Sequence, residues 1–395
     1  MASSAGVHKR LDHLDQCDLG AWRDWLTPPK TSVAGGIYCL LYLAYEASGL
    51  FEQLPPAKTV PTTPLLYAHH PDWSLRFAAG EVRIVAVNTD ALAQVTALLA
   101  RPSEAAMVDA IADFVIGDIE ELGSATEYRN SVRRVQQWIA AGDIFQANIA
   151  RFWQAQVRSG DAVALYARLR GCNPAPFSCV LRMEAADGTP LSIVSSSPER
   201  LLRISSDGNI DTRPIAGTRR LGSDAETAQL ASELLLSDKE RAEHIMLVDL
   251  ERNDLGRICQ PGTVRVDESM VVERYATVQH IVSNVCGRLK PEVDLMDVLA
   301  AMFPGGTITG CPKIRCMEII HQLEPMARSA YTGGVGYIGW DGAVDINILI
   351  RSFALHGREL SWAAGAGIVS DSDPDQEQQE TEYKVAGLLA ALKGV

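Results

Sequence analysis

Two glutamate pairs with one shared spacing stand far apart in this chain. Glu240 and Glu243 lie in Leu236-Ser-Asp-Lys-Glu-Arg-Ala-Glu-His244, and Glu377 and Glu380 lie in Asp373-Pro-Asp-Gln-Glu-Gln-Gln-Glu380. An i, i+3 spacing puts both carboxylates of a pair on one face of a helix. Four carboxylates from two helix starts would suit a hard cation such as Mg²⁺, which takes oxygen ligands. Each pair also has a plain reading. Ser237-Asp-Lys-Glu240 has the form of a helix capping box. Asp373-Pro374 is an ordinary helix start, and Glu380 with Lys384 makes an i, i+4 ion pair of favourable polarity. The duplication raises the pairs above those readings.

Three glycine-bearing segments are the next candidates. In Thr212-Arg-Pro-Ile-Ala-Gly-Thr-Arg-Arg220, the backbone N–H groups of Gly217 and Thr218, with the threonine hydroxyl, would cradle a carboxylate among arginines. Phe303-Pro-Gly-Gly-Thr-Ile-Thr-Gly-Cys-Pro-Lys313 leads into a helix from Ile314, and such a start attracts anions. It lacks the Gly-Lys-Ser/Thr ending of a P-loop. Ala363-Ala-Gly-Ala-Gly-Ile368 ends a strand, where glycines let a ligand approach the backbone. Each is equally readable as a connecting turn. Ser195-Ser-Ser-Pro-Glu199 places an acid just after a strand. Val278-Gln-His280 sets a histidine in an apolar run, by default a core histidine. Arg351 follows the apolar stretch Asp345 to Ile350, either as an edge residue or as a carboxylate clamp.

The elements that must position these residues are short strands and helices. Strands are expected at Ile149–Trp153, Phe177–Leu181, Leu191–Val194, Leu201–Ile204, Gly334–Gly339, Val344–Ile350 and Leu360–Trp362, many joined by Gly or Asp turns that favour antiparallel pairing. Val132, Val135 and Ile139 share one face of a helix over Tyr128–Ala141. The N-terminal part is irregular. Val82–Val87 reads as a strand, and Asn88 to Leu122 as helix-rich. Val33 to Phe51 is apolar but holds Glu46 and glycines, so a buried strand followed by a helix is expected, not a membrane span.

Composition bounds the rest. The chain has 395 residues, 47% hydrophobic and 22% charged, in the range of a globular enzyme. A formal net charge of −13 argues against nucleic acid as a partner. The eight cysteines are dispersed, without zinc-site spacing, and read as buried thiols in a reducing, cytoplasmic compartment. The start lacks the apolar core of a signal peptide.

Taken together, the segments resemble the chorismate-utilising enzymes: anthranilate synthase component I, aminodeoxychorismate synthase component I, isochorismate synthase and salicylate synthase. The resemblance runs from about Tyr128 to Leu389. It rests on Gly142-Asp-Ile-Phe-Gln-Ala-Asn148, Ser197-Pro-Glu199, Pro214-Ile-Ala-Gly-Thr218, Glu243-His-Ile-Met-Leu-Val-Asp249, Arg252-Asn-Asp254, Val278-Gln-His280, Phe303-Pro-Gly-Gly-Thr307 and Ala364-Gly-Ala-Gly-Ile368. The family's fold would be α+β, with two packed, mostly antiparallel sheets flanked by helices. Residues 125–395 would form the catalytic domain, and residues 1–124 an N-terminal region packing onto the same fold.

The resemblance also implies roles. Glu243 and Glu380 would bind Mg²⁺ directly, with Glu240 and Glu377 acting through water. Gly217, Thr218, Tyr331, Arg351, Gly365, Ala366, Gly367 and Lys384 would bind chorismate. Glu199 would be the general acid for the departing 4-hydroxyl, and His280 and Thr307 active-site polar groups. At the position of Gln146 the water-using members carry a lysine base. Glutamine there implies ammonia as the nucleophile, delivered by a glutamine amidotransferase partner. Asn148, Asn173-Pro-Ala-Pro-Phe-Ser178 and Tyr45-Glu-Ala-Ser-Gly-Leu-Phe-Glu-Gln-Leu-Pro55 resemble the aminodeoxychorismate branch. Ala216, where that branch often has lysine, resembles anthranilate synthase. The expected function is therefore aminodeoxychorismate synthase component I in p-aminobenzoate and folate synthesis. Anthranilate synthase component I and an inactive chorismate-binding homologue are the alternatives.

Overall fold

The computed structural model describes residues 6–29, 35–56, 58–101, 113–220, 222–274 and 278–394. Two sheets dominate it, and every strand pairing among the described residues is antiparallel. The larger sheet has ten strands. Its order is Gly6–Leu11, Leu66–Pro71, Ile37–Leu43, Gly334–Gly339, Val344–Ile348, Arg200–Ile204, Asn209–Thr212, Val278–Arg288 and Ile215–Arg220, with Arg265–Arg274 also on Val278–Arg288. The smaller sheet has seven, ordered Gly310–Cys311, Gln146–Ser159, Glu359–Ile368, Ser352–His356, Pro190–Ser197 and Phe177–Glu184, with Val115–Leu122 added on Gln146–Ser159. Helices flank both sheets, so the architecture is the expected α+β one.

The chain passes between the sheets at two neighbouring corners. Pro190–Ser197 belongs to the smaller sheet and Arg200–Ile204 to the larger, so Pro198 and Glu199 form one corner. Val344–Ile348 and Ser352–His356 are likewise split between the sheets, and Arg351 lies in that second corner. Backbone bonds lace the corners together: Ile348 N donates to Glu199 O at 3.1 Å, and Ser196 N donates to Arg351 O at 3.1 Å. Two residues 152 positions apart are thereby fixed side by side.

The largest core cluster explains why the sheets stay packed. It joins Leu41, Leu43, Leu202, Ile338, Ile346 and Ile348 of the larger sheet to Ala147, Ile149, Ala366 and Ile368 of the smaller. Helix Ala125–Ala140 buries Tyr128, Val132, Val135 and Trp138 against it. Full burial of a large apolar side chain contributes about 1.5–3 kcal/mol, so this stripe holds the helix in place. The opposite face of the smaller sheet is covered by helices Ala162–Cys172 and Pro374–Lys393, through Leu165, Leu169, Val385 and Leu388.

Each strand expected from the sequence is present. The stretch to Leu122 is a correction. Thr89–Leu99 is helical, but Val115–Leu122 is a strand. Val115, Ile116 and Ile119 favour that conformation, and Glu121 on this strand pairs with Arg151 of Gln146–Ser159 at 2.9 Å. Residues 102–112 of the same stretch lie outside the described ones.

Candidate active site

Helix Asp238–Ile258 begins where helix Asp224–Leu236 ends, and Ser237 caps both. Ser237 Oγ accepts from Glu240 N at 3.3 Å, while Ser237 N donates back to Glu233 O. The expected box is thus half formed, because the preceding helix claims the N–H that the Glu240 carboxylate would have taken. Glu240 reaches towards the Ile215–Arg220 strand instead. A Cβ on Gly217 would stand 2.8 Å from Glu240 Oε2, and Gly217 has φ +63°, where glycine alone is unstrained.

Glu243, one turn on, receives a hydrogen bond from Gln146 Nε2 at 3.0 Å. Burial first, then the charges of Glu240 and Glu380, push its carboxyl up to about 7, against the pull of Gln146 and Lys384. Those mutual effects place Glu240, Glu243, Glu380 and Lys384 in one electrostatic neighbourhood. Glu380 bonds Lys384 at 2.7 Å, the i, i+4 pair expected from the sequence, and Lys384 Nζ also donates to Gly365 O at 2.8 Å. Glu377 is buried and accepts from Ser372 Oγ at 2.6 Å. The oxygen-only donor set suits a hard divalent cation in type and charge. Among the described residues no three acids stand together as a ready-made ion site.

Gly365 and Gly367 alternate on one face of strand Glu359–Ile368, opposite Ala150 and Asn148. A Cβ at Gly365 would stand 2.4 Å from Asn148 Oδ1 and 3.0 Å from the Tyr331 hydroxyl; at Gly367 it would stand 2.4 Å from Gln146 Nε2. The glycines therefore make room for Gln146, Asn148 and Tyr331. Ala366 points the other way, into the core, and has only its backbone to offer. Gln146 Oε1 and Asn148 Oδ1 are buried acceptors with no hydrogen-bond partner.

Glu199 is buried at its corner, with its N–H bonded to Ser197 Oγ at 3.2 Å. Burial pushes its carboxyl up to about 7, while Thr307, the backbone of Ile215, Lys384 and Arg351 pull the other way. At neutral pH it therefore shares its proton about equally between bound and lost, which is where a general acid works best. Arg351 adopts φ +51°, an αL conformation rare for arginine and found at sites where surrounding structure enforces it. His280 sits in strand Val278–Arg288 opposite Thr218, with Nδ1 3.3 Å from Gly217 O. Burial, followed by the charge of Arg351, lowers His280 to about 4, so it is neutral at pH 7. The Thr307 hydroxyl is buried beside Glu199, close enough to act on its carboxyl as a hydrogen-bond donor. The side chain of Thr218 lies outside the described residues.

One acid at this site escaped the sequence reading. Glu251 is buried, accepts from Gly306 N at 3.3 Å, and interacts electrostatically with Glu199. It lies eleven residues, close to three whole turns, after Glu240 on the same helix. That periodicity was the available signal.

The profile of the chorismate binding enzyme family matches residues 4–390. An anthranilate synthase component I-like protein of Synechocystis is 50% identical over 272 residues, 68% of this chain and 55% of that protein. The aminodeoxychorismate synthase component 1 of Bacillus subtilis is 45% identical over 268 residues, 67% of this chain and 55% of that protein. The chain thus spans about half the length of these curated relatives. Among solved structures, anthranilate synthase component I from Streptococcus pneumoniae TIGR4 superposes with a TM-score of 0.86 at 28% identity, covering 98% of this chain and 91% of that one. With the two-sheet fold, the paired acids and this match over nearly the whole sequence, the chain belongs to the chorismate binding enzyme family.

Proposed function

We propose that this chain is a component I enzyme that aminates chorismate with ammonia, giving 4-amino-4-deoxychorismate. The carrying observation is the convergence of one buried, proton-holding acid, Glu199, with two cations, Arg351 and Lys384, beside a glycine-lined strand. Chorismate is a dicarboxylate with a poor hydroxide leaving group, so it needs both anion neutralisation and a proton donor. Ammonia forms the C4–N bond as the C4–O bond breaks. The proton of Glu199 leaves with the hydroxide as water, and Glu199 then regains a proton from the ammonium centre formed on C4.

Gln146 supports ammonia over water. It donates to Glu243 and offers no basic nitrogen to deprotonate a water molecule. Ala216 is buried and carries no amine, so nitrogen addition is direct, without a side-chain adduct at that position. Mg²⁺ would be held by Glu243 and Glu380, with Glu240 and Glu377 acting through water, and would neutralise the ring carboxylate. A glutamine amidotransferase supplies ammonia in this reading; the relatives' names as component 1 of their enzymes support such a partner. Glu243→Gln is expected to abolish Mg²⁺-dependent turnover while the protein stays folded. Near-full activity in that variant would remove Glu243 from the metal site.

Anthranilate synthesis is the second reading. It is favoured by Ala216 and by the anthranilate synthase names of several relatives. Incubation with chorismate, Mg²⁺ and ammonium salt separates the readings by mass and fluorescence. A non-aromatic amino product supports our proposal, a fluorescent aromatic product supports anthranilate, and no turnover supports an inactive chorismate-binding homologue.

A further inference from the structure

We propose that Glu251 is a positioning residue: by anchoring the Phe303–Thr307 loop from below, it sets where the Thr307 hydroxyl stands beside Glu199. This rests on the reading of Glu199 as the proton donor. Glu251 belongs to the face of helix Asp238–Ile258 that also carries Glu240, Glu243 and Leu247, so one helical stripe serves both the acid pair and the loop. Its carboxyl is buried and takes the Gly306 N–H at 3.3 Å. The contact is close enough that a Cβ on Gly306 would stand 2.5 Å from Leu250 Cδ2 and 3.2 Å from Glu251 Oε1. The absence of a side chain at Gly306 lets the loop rest this close to the helix.

The rest of the loop is pinned around this point. Lys313 pairs with Asp254, one turn beyond Glu251, and donates to Met302 O at 3.2 Å. Arg328 donates to Ile308 O at 2.9 Å, and Thr309 Oγ1 donates to Gly305 O at 2.8 Å. Lys313 holds Met302 before the loop and Arg328 holds Ile308 after Thr307, whereas Glu251 takes the N–H of Gly306, the residue that precedes Thr307. A buried carboxyl costs folding free energy unless it is neutral or bonded. Burial, then Asp254, push the Glu251 carboxyl well above the usual carboxylate range against the pull of Lys313. An apolar residue would fill this space without that cost, but it could not accept the Gly306 N–H.

The test compares Glu251→Met, which fills the space without an acceptor, with Glu251→Gln, which restores one, and Glu251→Ala as a second acceptor-free variant should methionine fail to fold. Backbone amide exchange over residues 303–309 reads the anchor without turnover. Steady-state kinetics with chorismate, Mg²⁺ and ammonium salt read its consequence. Faster exchange in the methionine or alanine variant is expected. Alongside it, kcat should fall about tenfold or more, the loss of roughly one hydrogen bond to a charged or polarised group. KM should stay within about threefold, and Glu251→Gln should recover most of both losses. Unchanged exchange in the acceptor-free variants overturns the anchor. Faster exchange with unchanged kcat overturns the link to Glu199. A wild-type protein without turnover refutes the functional reading instead, and the exchange measurement still decides whether Glu251 holds the loop.

Discussion

Glu199 owes its chemistry to where the chain turns. A carboxyl group at a corner between two sheets has little water around it, and the loss of water outweighs the attraction of Lys384, Arg351 and Thr307. Glu199→Gln removes the proton without altering shape, so kcat should fall by about 10²–10⁴, the usual worth of a positioned general acid, with little change in KM. In the wild type, turnover should decline as pH rises through about 7, where this carboxyl loses its proton. Stability follows the same groups. Glu46, Glu199 and Glu243 are raised to about 7 and Glu251 to about 8, so from pH 4.5 upward the folded state holds protons that the unfolded chain releases. Their contribution to stability falls as pH rises through that window. His244 and His280, lowered to about 4, act oppositely, but only up to pH 6.5. His70 and His321 are lowered as well, and as the histidine effect fades above pH 6.5 the carboxyls dominate up to pH 8, so the midpoint of unfolding in the metal-free protein should fall. Glu199→Gln should flatten that slope, and a midpoint rising with pH there would contradict these assignments. Glu199 was legible from Ser197-Pro-Glu199. Glu251 was signalled only by its spacing from Glu240, because in sequence it is one acid among the charged residues of a helix, and packing is what shows it buried.

At the scale of elements, two strands and two helices do most of the positioning. Gln146–Ser159 and Glu359–Ile368 lie side by side, with Gly365 and Gly367 facing the amide side chains of Asn148 and Gln146. Arg151 ties the first of these strands to helix Pro374–Lys393 through Glu382 and Thr381, each at 3.0 Å, and so sets the distance from Gln146 to Lys384 and Glu380. Gly367→Ala tests the arrangement. Its methyl group would meet Gln146 Nε2 at 2.4 Å and Glu243 Oε1 at 3.3 Å, both side-chain atoms able to shift. We expect KM for chorismate to rise about tenfold or more, about 1.4 kcal/mol, with the fold retained by circular dichroism. An unchanged KM would show that the Gln146–Glu243 bond is irrelevant to binding. The alternating glycines were visible in the sequence, but their partners were not, since register between distant strands follows from packing rather than from either segment alone. The half-formed box at Ser237 has a similar cause, an abutting helix that claims its N–H.

At the scale of the molecule, the antiparallel strands and the helix stripe at Val132 and Val135 were readable because their periodicities are strong. How ten and seven strands divide between two sheets was not readable, because it depends on one core that gathers Leu41, Ile149 and Ile346 from segments far apart in sequence. That division creates the two corners, and the corners bring Glu199 to Arg351. No helix among the described residues is long and apolar enough to cross a membrane, and all eight cysteines are free thiols. In the proposed reaction this arrangement would use Glu199 to put ammonia nitrogen onto chorismate. Single-turnover reactions with ¹⁵N-ammonium, chorismate and Mg²⁺, followed by mass spectrometry, test it most directly. The wild-type protein should place ¹⁵N in a non-aromatic product, and Glu199→Gln should do so about 10²–10⁴ more slowly. Conversion to a hydroxylated isomer without ¹⁵N, or equal rates of incorporation by both proteins, would contradict this role for Glu199.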